Sequence, residues 1–270
     1  VRDLLEHGHQ VIGCDLRRPE PPPCPWFVAD LVEPAAAFEL LEGCDVAIHL
    51  AAIPAPGLQT PIATFSQNVR TTFHVLEAAR ALRLGRVVLA SSETVLGLPF
   101  DRHKPLYAPI DEDHPLFPES TYALSKRLGE EMAVDYHRWT GMQIVNLRFS
   151  NIMRPEDYAR FPDFWDDPQR RKWNLWGYVD VRDVAQACRL AVEKEGLGAE
   201  VFIIAAADTV MPQPSRELLA RVFPDTPVRG SLPGRQTCLS IDKARRLLGY
   251  EPRHSWTQHV PAPPGGGLLA

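Results

Sequence analysis

The chain has 270 residues, 45% of them hydrophobic and 23% charged, with a formal net charge of −5. This length and balance suit a folded protein with a sizeable core, and the acidic balance excludes a nucleic-acid groove, which needs a basic face. No apolar run reaches the ~20 residues of a membrane span, and the five cysteines form no Cys-x-x-Cys pair, which argues against a disulfide frame or zinc site and for a reducing, cytoplasmic setting.

Residues 2–7 read as the end of a helix, closed by Gly8 at the usual stop position. Residues 10–15 form a short apolar strand ending in Asp15, and a proline-rich loop follows at 19–25. A second strand is expected at 26–30, ending in Asp30, and a helix at 34–41 with Pro34 in its first turn. Residues 45–50 are a buried third strand that runs into Ala51-Ala-Ile-Pro54. A long helix is expected over 62–84, and a fourth strand over 86–92. Beyond it come a helix at 120–139 and a strand at 143–148, then an irregular stretch at 155–176 rich in rings and charges. A helix at 180–193, a strand at 201–205, helices at 215–222 and 241–248 and a disordered Pro/Gly-rich tail complete the chain.

Strands alternate with helices, and the strands are continuous apolar runs without period-two alternation. That pattern predicts an α/β fold, a doubly wound parallel sheet covered by helices on both faces. Ligands in such sheets bind at the carboxyl ends of the strands, where Asp15, Asp30, Ala51, Ala52, Ser91 and Ser92 fall.

The helix at 120–139 opens with Tyr122-Ala-Leu-Ser-Lys126. Residues four apart share one helix face, and a cation near a phenol favours its ionised form, so Tyr122 can exchange a proton with an alcohol or carbonyl near neutral pH. Tyr-x-x-x-Lys alone is equally an ordinary helix pair; its company gives it weight. Strand-end Asp15, Asp30-Leu31, His49-Leu-Ala-Ala52, Asn68-Val69, Ser91-Ser92, Tyr122-x-x-x-Lys126 and Leu147-Arg-x-x-Asn151 occur in that order. Together they resemble the extended short-chain dehydrogenase/reductases, the branch of NAD-dependent epimerases and dehydratases. Tyr178-Val-Asp-Val-Arg-Asp183 and Leu247-Leu-Gly-Tyr-Glu-Pro252 are similar to that branch's C-terminal signatures.

The resemblance implies a Rossmann-like domain over 1–151 with 178–205, a small C-terminal substrate lobe over 152–177 and 206–256, and a disordered tail at 257–270. It implies Tyr122 as acid/base, Lys126 on the nicotinamide ribose and Ser92 holding the substrate oxygen. Cofactor contacts are implied for Asp15, Asp30, Leu31, Leu50, Ala51, Ala52, Asn68, Ser91 and Phe149, and substrate contacts for Ser92, Thr94, Asn151 and Arg154. Asp15 favours NAD, while Arg17 and Arg18 beside it leave NADP open. Ser92-Glu93-Thr94 lacks the Asp-Glu pair of the 4,6-dehydratases, which leaves an epimerase or an alcohol/ketone oxidoreductase acting on a sugar or nucleotide sugar, working as a homodimer without nucleic acid or membrane. A non-catalytic dinucleotide-binding sensor, or an inactive fragment, is the alternative.

Arg154 stands where the family has glycine and reads either as an anion contact or as a surface substitution; 161–173 reads either as a substrate lid or as a flap packed on the core. The histidines lack metal-ligand spacing. The family's first strand and Gly-x-x-Gly-x-x-Gly loop have no counterpart before Val1, so the expectation is an N-terminally truncated chain whose gene encodes roughly 15–20 further residues upstream, and which binds NAD poorly as it stands.

Overall fold

The computed structural model describes residues 1–261, and the chain divides into two compact units. The first comprises Val1–Ser91, Ser120–Leu147 and Ala185–Val201; the second comprises Ser92–Glu119, Arg148–Val184 and the chain from Phe202 onward. The division differs from the expected one at 92–119, 148–151, 178–184 and 202–205, which fall in the second unit. Of the expected disordered tail, 257–261 is described and contains part of the turn Trp256–Gln258, while 262–270 lies outside the described residues.

In the first unit, α1 (Arg2–Glu6) precedes β1 (Gly13–Asp15) and β2 (Trp26–Val28), which pair in parallel with Gly13 opposite Trp26 and Asp15 opposite Val28. Gly13 has no room for a side chain, because a Cβ there would meet the Trp26 ring at 2.3 Å. After α2 (Pro34–Leu41), β3 (Val46–His49) begins a second sheet. Its strand order is β3, β4 (Arg86–Ser92), β5 (Gln143–Phe149), β8 (Ala199–Ile204), with β3 parallel to β4 and Val46 opposite Arg86. Among the described residues β1 pairs only with β2, and β3 only with β4.

Two long helices cover this sheet's neighbourhood. α3 (Pro61–Ala81) starts where the Thr60 hydroxyl accepts from the Ala63 N–H and Pro61 fills the first helical position, whose N–H has no helical partner. α4 (Thr121–Thr140) starts at Ser120, whose hydroxyl accepts from the Ala123 N–H, and stops at Gly141, whose φ of 73° suits glycine alone at low strain. The two helices pack together. Ala37 and Leu41 of α2, Val75, Leu76, Ala78 and Ala79 of α3, Ala133 and Tyr136 of α4, and Val87, Leu89 and Ile144 of the strands form one core. Along α4, Met132 packs on this core and Tyr136 is buried, whereas Leu124 remains 39% exposed.

The second unit is built on rings. β6 (Ile152–Met153) and β7 (Val179–Asp180) form a short parallel pair, and α6 (Ser215–Val222) and α7 (Asp242–Leu248) follow, whereas α5 (Val181–Glu193) belongs to the first unit from Ala185 onward. The stretch expected to be irregular is two 3-10 segments, Pro155–Phe164 and Pro168–Asn174. Tyr158, Phe161 and Trp165 from it are buried, and Trp165 lies 5.2 Å from the Trp256 ring. The Trp256 indole donates to the Thr209 carbonyl at 2.7 Å.

Candidate active site

Each unit positions its own candidate site residues. In the first, Tyr122 and Lys126 lie one turn apart on α4, with the Tyr122 side chain 7% exposed. The Lys126 ammonium sits 5.8 Å from the Tyr122 ring centroid and donates to the Ala90 carbonyl of β4 at 2.7 Å. Its pKa falls to about 8 because burial strips water from the charged form. Below it, His49 at the end of β3 is buried and pushed down to about 3 by burial and by the Lys126 charge, so it stays neutral at working pH.

One turn further, Glu130 accepts from the Ser91 hydroxyl at 2.5 Å. Residues 122, 126 and 130 thus form one stripe on α4, and the last two bind consecutive residues of β4. Sequence reasoning passed over Glu130, although its i+8 spacing from Tyr122 was visible. Ser91, expected among the cofactor contacts, donates its hydroxyl proton to Glu130.

Asn68 of α3 is 3% exposed; its amide accepts from the Ile53 N–H at 2.8 Å and donates to the Ile53 carbonyl at 3.1 Å and to the Ser125 hydroxyl at 3.2 Å. It therefore fixes the loop after β3, where Leu50, 55% exposed, and the exposed Ala51 precede the half-buried Ala52. Asp15 ends β1 and Asp30 lies two residues past β2; both are exposed, each accepting from a backbone N–H two residues on. Leu31 differs from expectation in that its side chain joins the core.

In the second unit, the Ser92 hydroxyl oxygen accepts from the Thr94 N–H at 3.2 Å and the Thr94 hydroxyl at 3.0 Å. Both contacts are to the oxygen, so the Ser92 proton remains able to donate. The Thr94 hydroxyl, expected on the substrate, is held by Ser92. Phe149 is buried at the end of β5. Asn151 is half-buried, and its carbonyl accepts from the Val179 N–H at 3.0 Å. The Arg154 guanidinium is exposed and paired with Asp157 at 3.3 Å and Glu156 at 3.2 Å. Of its two alternatives, the geometry is that of a solvated surface cluster.

The C-terminal signatures are structural in this unit. Asp180 is buried and accepts from Tyr158 and from Arg182 at 2.7 Å. Asp183 accepts from the Arg253 and His254 backbone N–H groups at 3.0 and 3.1 Å and contacts the His254 ring at 2.8 Å. Among the described residues no His/Cys/Asp/Glu group is arranged to hold a metal, and no helix is long and apolar enough to cross a membrane.

The family model "NAD dependent epimerase/dehydratase family" matches residues 1–205. The chain belongs to that family. Among its relatives, a uronate dehydrogenase of Pseudomonas syringae pv. tomato is 31% identical over 51% of this chain and 48% of its own length. An L-arabinose 1-dehydrogenase (NAD(P)(+)) of Haloferax volcanii is 26% identical over 84% of this chain and 81% of its own. The chain thus spans about half of the first relative and most of the second. A short-chain dehydrogenase/reductase superfamily structure from Agrobacterium tumefaciens with bound NAD superposes with a TM-score of 0.73 at 24% identity, covering 96% of this chain and 89% of that one. At that identity the match shows the fold, an α/β Rossmann-like sheet.

The residues present suit the two ends of a dinucleotide. Asp15 offers an exposed carboxylate at a strand end, suited to ribose hydroxyls, and the Lys126 ammonium has donors beyond the one given to Ala90.

Proposed function

We propose that this chain acts, with NAD, on a secondary alcohol or ketone of a sugar or nucleotide sugar, with Tyr122 as acid/base, Lys126 on the cofactor ribose and Ser92 holding the substrate oxygen. The observation that carries this is the α4 stripe, where a buried phenol stands one turn from an ammonium of lowered pKa that is pinned to β4. In the oxidative direction Tyr122 takes the hydroxyl proton while the carbon gives up a hydride and becomes a ketone. NAD, when bound, supplies the hydride acceptor. The Ser92 hydroxyl, whose oxygen already receives two donors, gives its proton to the substrate oxygen. Asp15, Asp30, Leu50 to Ala52, Asn68 and Phe149 are the cofactor side of this reading, and Asn151 the substrate side.

Dehydration at a sugar is disfavoured, because Glu93 and Thr94 are both tied within the fold. Oxidation of a sugar or sugar acid, for which the two relatives above are named, and epimerisation of a nucleotide sugar remain. The same reading includes a cytoplasmic homodimer, supported by five free cysteines and by Phe73, Leu124 and Val134, which leave apolar surface on α3 and α4 exposed. A second reading is a dinucleotide-binding protein without turnover, against which the intact Ser92, Tyr122 and Lys126 set weighs. Turnover of NAD against a panel of aldoses, uronates and nucleotide sugars separates the two. Absence of NAD reduction and of epimerised product across the panel, in protein that binds the cofactor, would favour the second.

A further inference from the structure

One buried acid has no place in the chemistry above. Glu93 follows Ser92 directly, is 3% exposed, and begins the 3-10 turn Glu93–Leu96. Its carboxylate accepts from the Ser150 hydroxyl at 2.6 Å and from the Asn174 amide at 3.1 Å, and from the Asn151 backbone N–H. Asn174 is fully buried and also donates to the Gly177 carbonyl at 2.8 Å. Gly177 lies so close that a Cβ there would stand 2.9 Å from the Ser150 hydroxyl oxygen. Leu175 and Trp176, fully buried, hold left-handed backbone conformations at φ 53° and 59°, a strained pair that the packing around Asn174 enforces.

Three separated segments therefore meet on one carboxylate: the turn of Ser92, the start of the 150s segment with Asn151, and the end of the second 3-10 stretch. The alternation of side chains around this turn divides the work. Ser92 and Thr94 bond to each other, while Glu93 between them reaches into the second unit's interior.

We propose that Glu93 is the positioning residue for the Ser92 hydroxyl and the Asn151 segment, holding both through its ionised carboxylate. The proposal rests on the function proposed above. All three donors point at the carboxylate, so protonating it replaces one acceptor site with a donor and leaves one of them without its partner. Burial pushes the Glu93 carboxyl up to about 7, against the opposing pull of Ser150, Asn174 and the Arg171 guanidinium. Arg171 is the charged group that bears on it, and it stays cationic at neutral pH although burial lowers it to about 10. The tether is then complete above pH 7 and loosened below it.

Glu93→Gln keeps the shape and the charge of the protonated acid, so it should behave at every pH as the natural protein does at low pH. Wild-type kcat should rise with pH through a limb near 7, and that limb should vanish in Glu93→Gln. At pH 8 kcat should fall by about 10-fold, the scale of a sub-ångström misplacement, with KM for NAD unchanged. Ser150→Ala, which removes one donor and little volume, should give a smaller fall in the same direction. Amide exchange at Thr94 and Asn151 reads the tether without turnover and should quicken in both variants. If kcat and its pH profile match the wild type in both variants, the positioning role is overturned. Unchanged exchange at these two amides overturns the tether independently of any activity. Failure of the wild type to turn over any sugar instead strikes at the proposed function, and the exchange measurement still decides the tether.

Discussion

Replacing Lys126 by Met should make the protein no less stable at neutral pH and should flatten part of its stability profile at high pH. Burial lowers the Lys126 pKa from 10.5 to about 8, so the folded state binds fewer protons than the unfolded chain between those values. Stability must therefore rise with pH across that window, and below pH 8 the full penalty of the buried charge is present. The full shift corresponds to roughly 3 kcal/mol at about 1.36 kcal/mol per pKa unit. Because the side chain is only partly buried, solvent screening brings this down to about 1–2 kcal/mol. Met keeps the apolar stem but removes the donor to the Ala90 carbonyl, which costs on the order of 1 kcal/mol. The two effects nearly cancel at pH 7. Across pH 8 to 10.5 the wild type should then gain about 1–2 kcal/mol on the variant. Urea denaturation of both proteins at half-unit pH steps measures this, and titrations of groups away from Lys126 drop out of the difference. A difference independent of pH would show that Lys126 is not a desolvated cation, and with it would go the argument that Lys126 is poised beside Tyr122.

Tyr122→Phe should lose at least ~100-fold in turnover, the lower range for acid–base catalysis, with its circular dichroism and melting temperature near those of the wild type. Gly177→Ala should cost about 1–3 kcal/mol in a denaturant titration, since its new methyl group would crowd the Ser150 hydroxyl, Leu239 and the Asn174 carbonyl at 2.9–3.1 Å. Asp183→Ala should cost about 2–4 kcal/mol, because it strands the Arg253 and His254 backbone donors; a melting temperature within a degree of wild type would contradict this. Light scattering at micromolar concentration should report a dimer, and a strictly monomeric mass would remove that part of the reading.

What the sequence revealed follows the range of the interactions that decide each element. The strand Arg86–Ser92 and the helices Pro34–Leu41 and Ser215–Val222 match their expected bounds because apolar runs, a first-turn proline and local periodicity define them. The first strand is shorter than expected, beginning at Gly13, where pairing with Trp26 starts. The two 3-10 segments were illegible as structure. Their polar, proline-punctuated sequence has no helical period, and buried contacts of Tyr158, Phe161 and Trp165 with distant rings decide their course. Glu93 was visible as a departure from a motif, yet its role was hidden, since Ser150 and Asn174 stand 57 and 81 residues away.

The stripe on α4 explains why a single helix can organise so much of the site. Tyr122, Lys126 and Glu130 recur every fourth residue, so their side chains rise from one face at successive turns. Lys126 grips the backbone of Ala90 and Glu130 grips the side chain of Ser91, so helix and strand are registered by two bonds at adjacent residues. A slip of α4 by one residue would rotate it by about 100° and break both at once. The ammonium must therefore serve as a fastening in the fold as well as a charge beside the phenol. That double duty accounts for a lysine kept where burial works against its charge: an apolar residue would relieve the desolvation, but it would leave Ala90 without its donor and Tyr122 without its neighbouring cation.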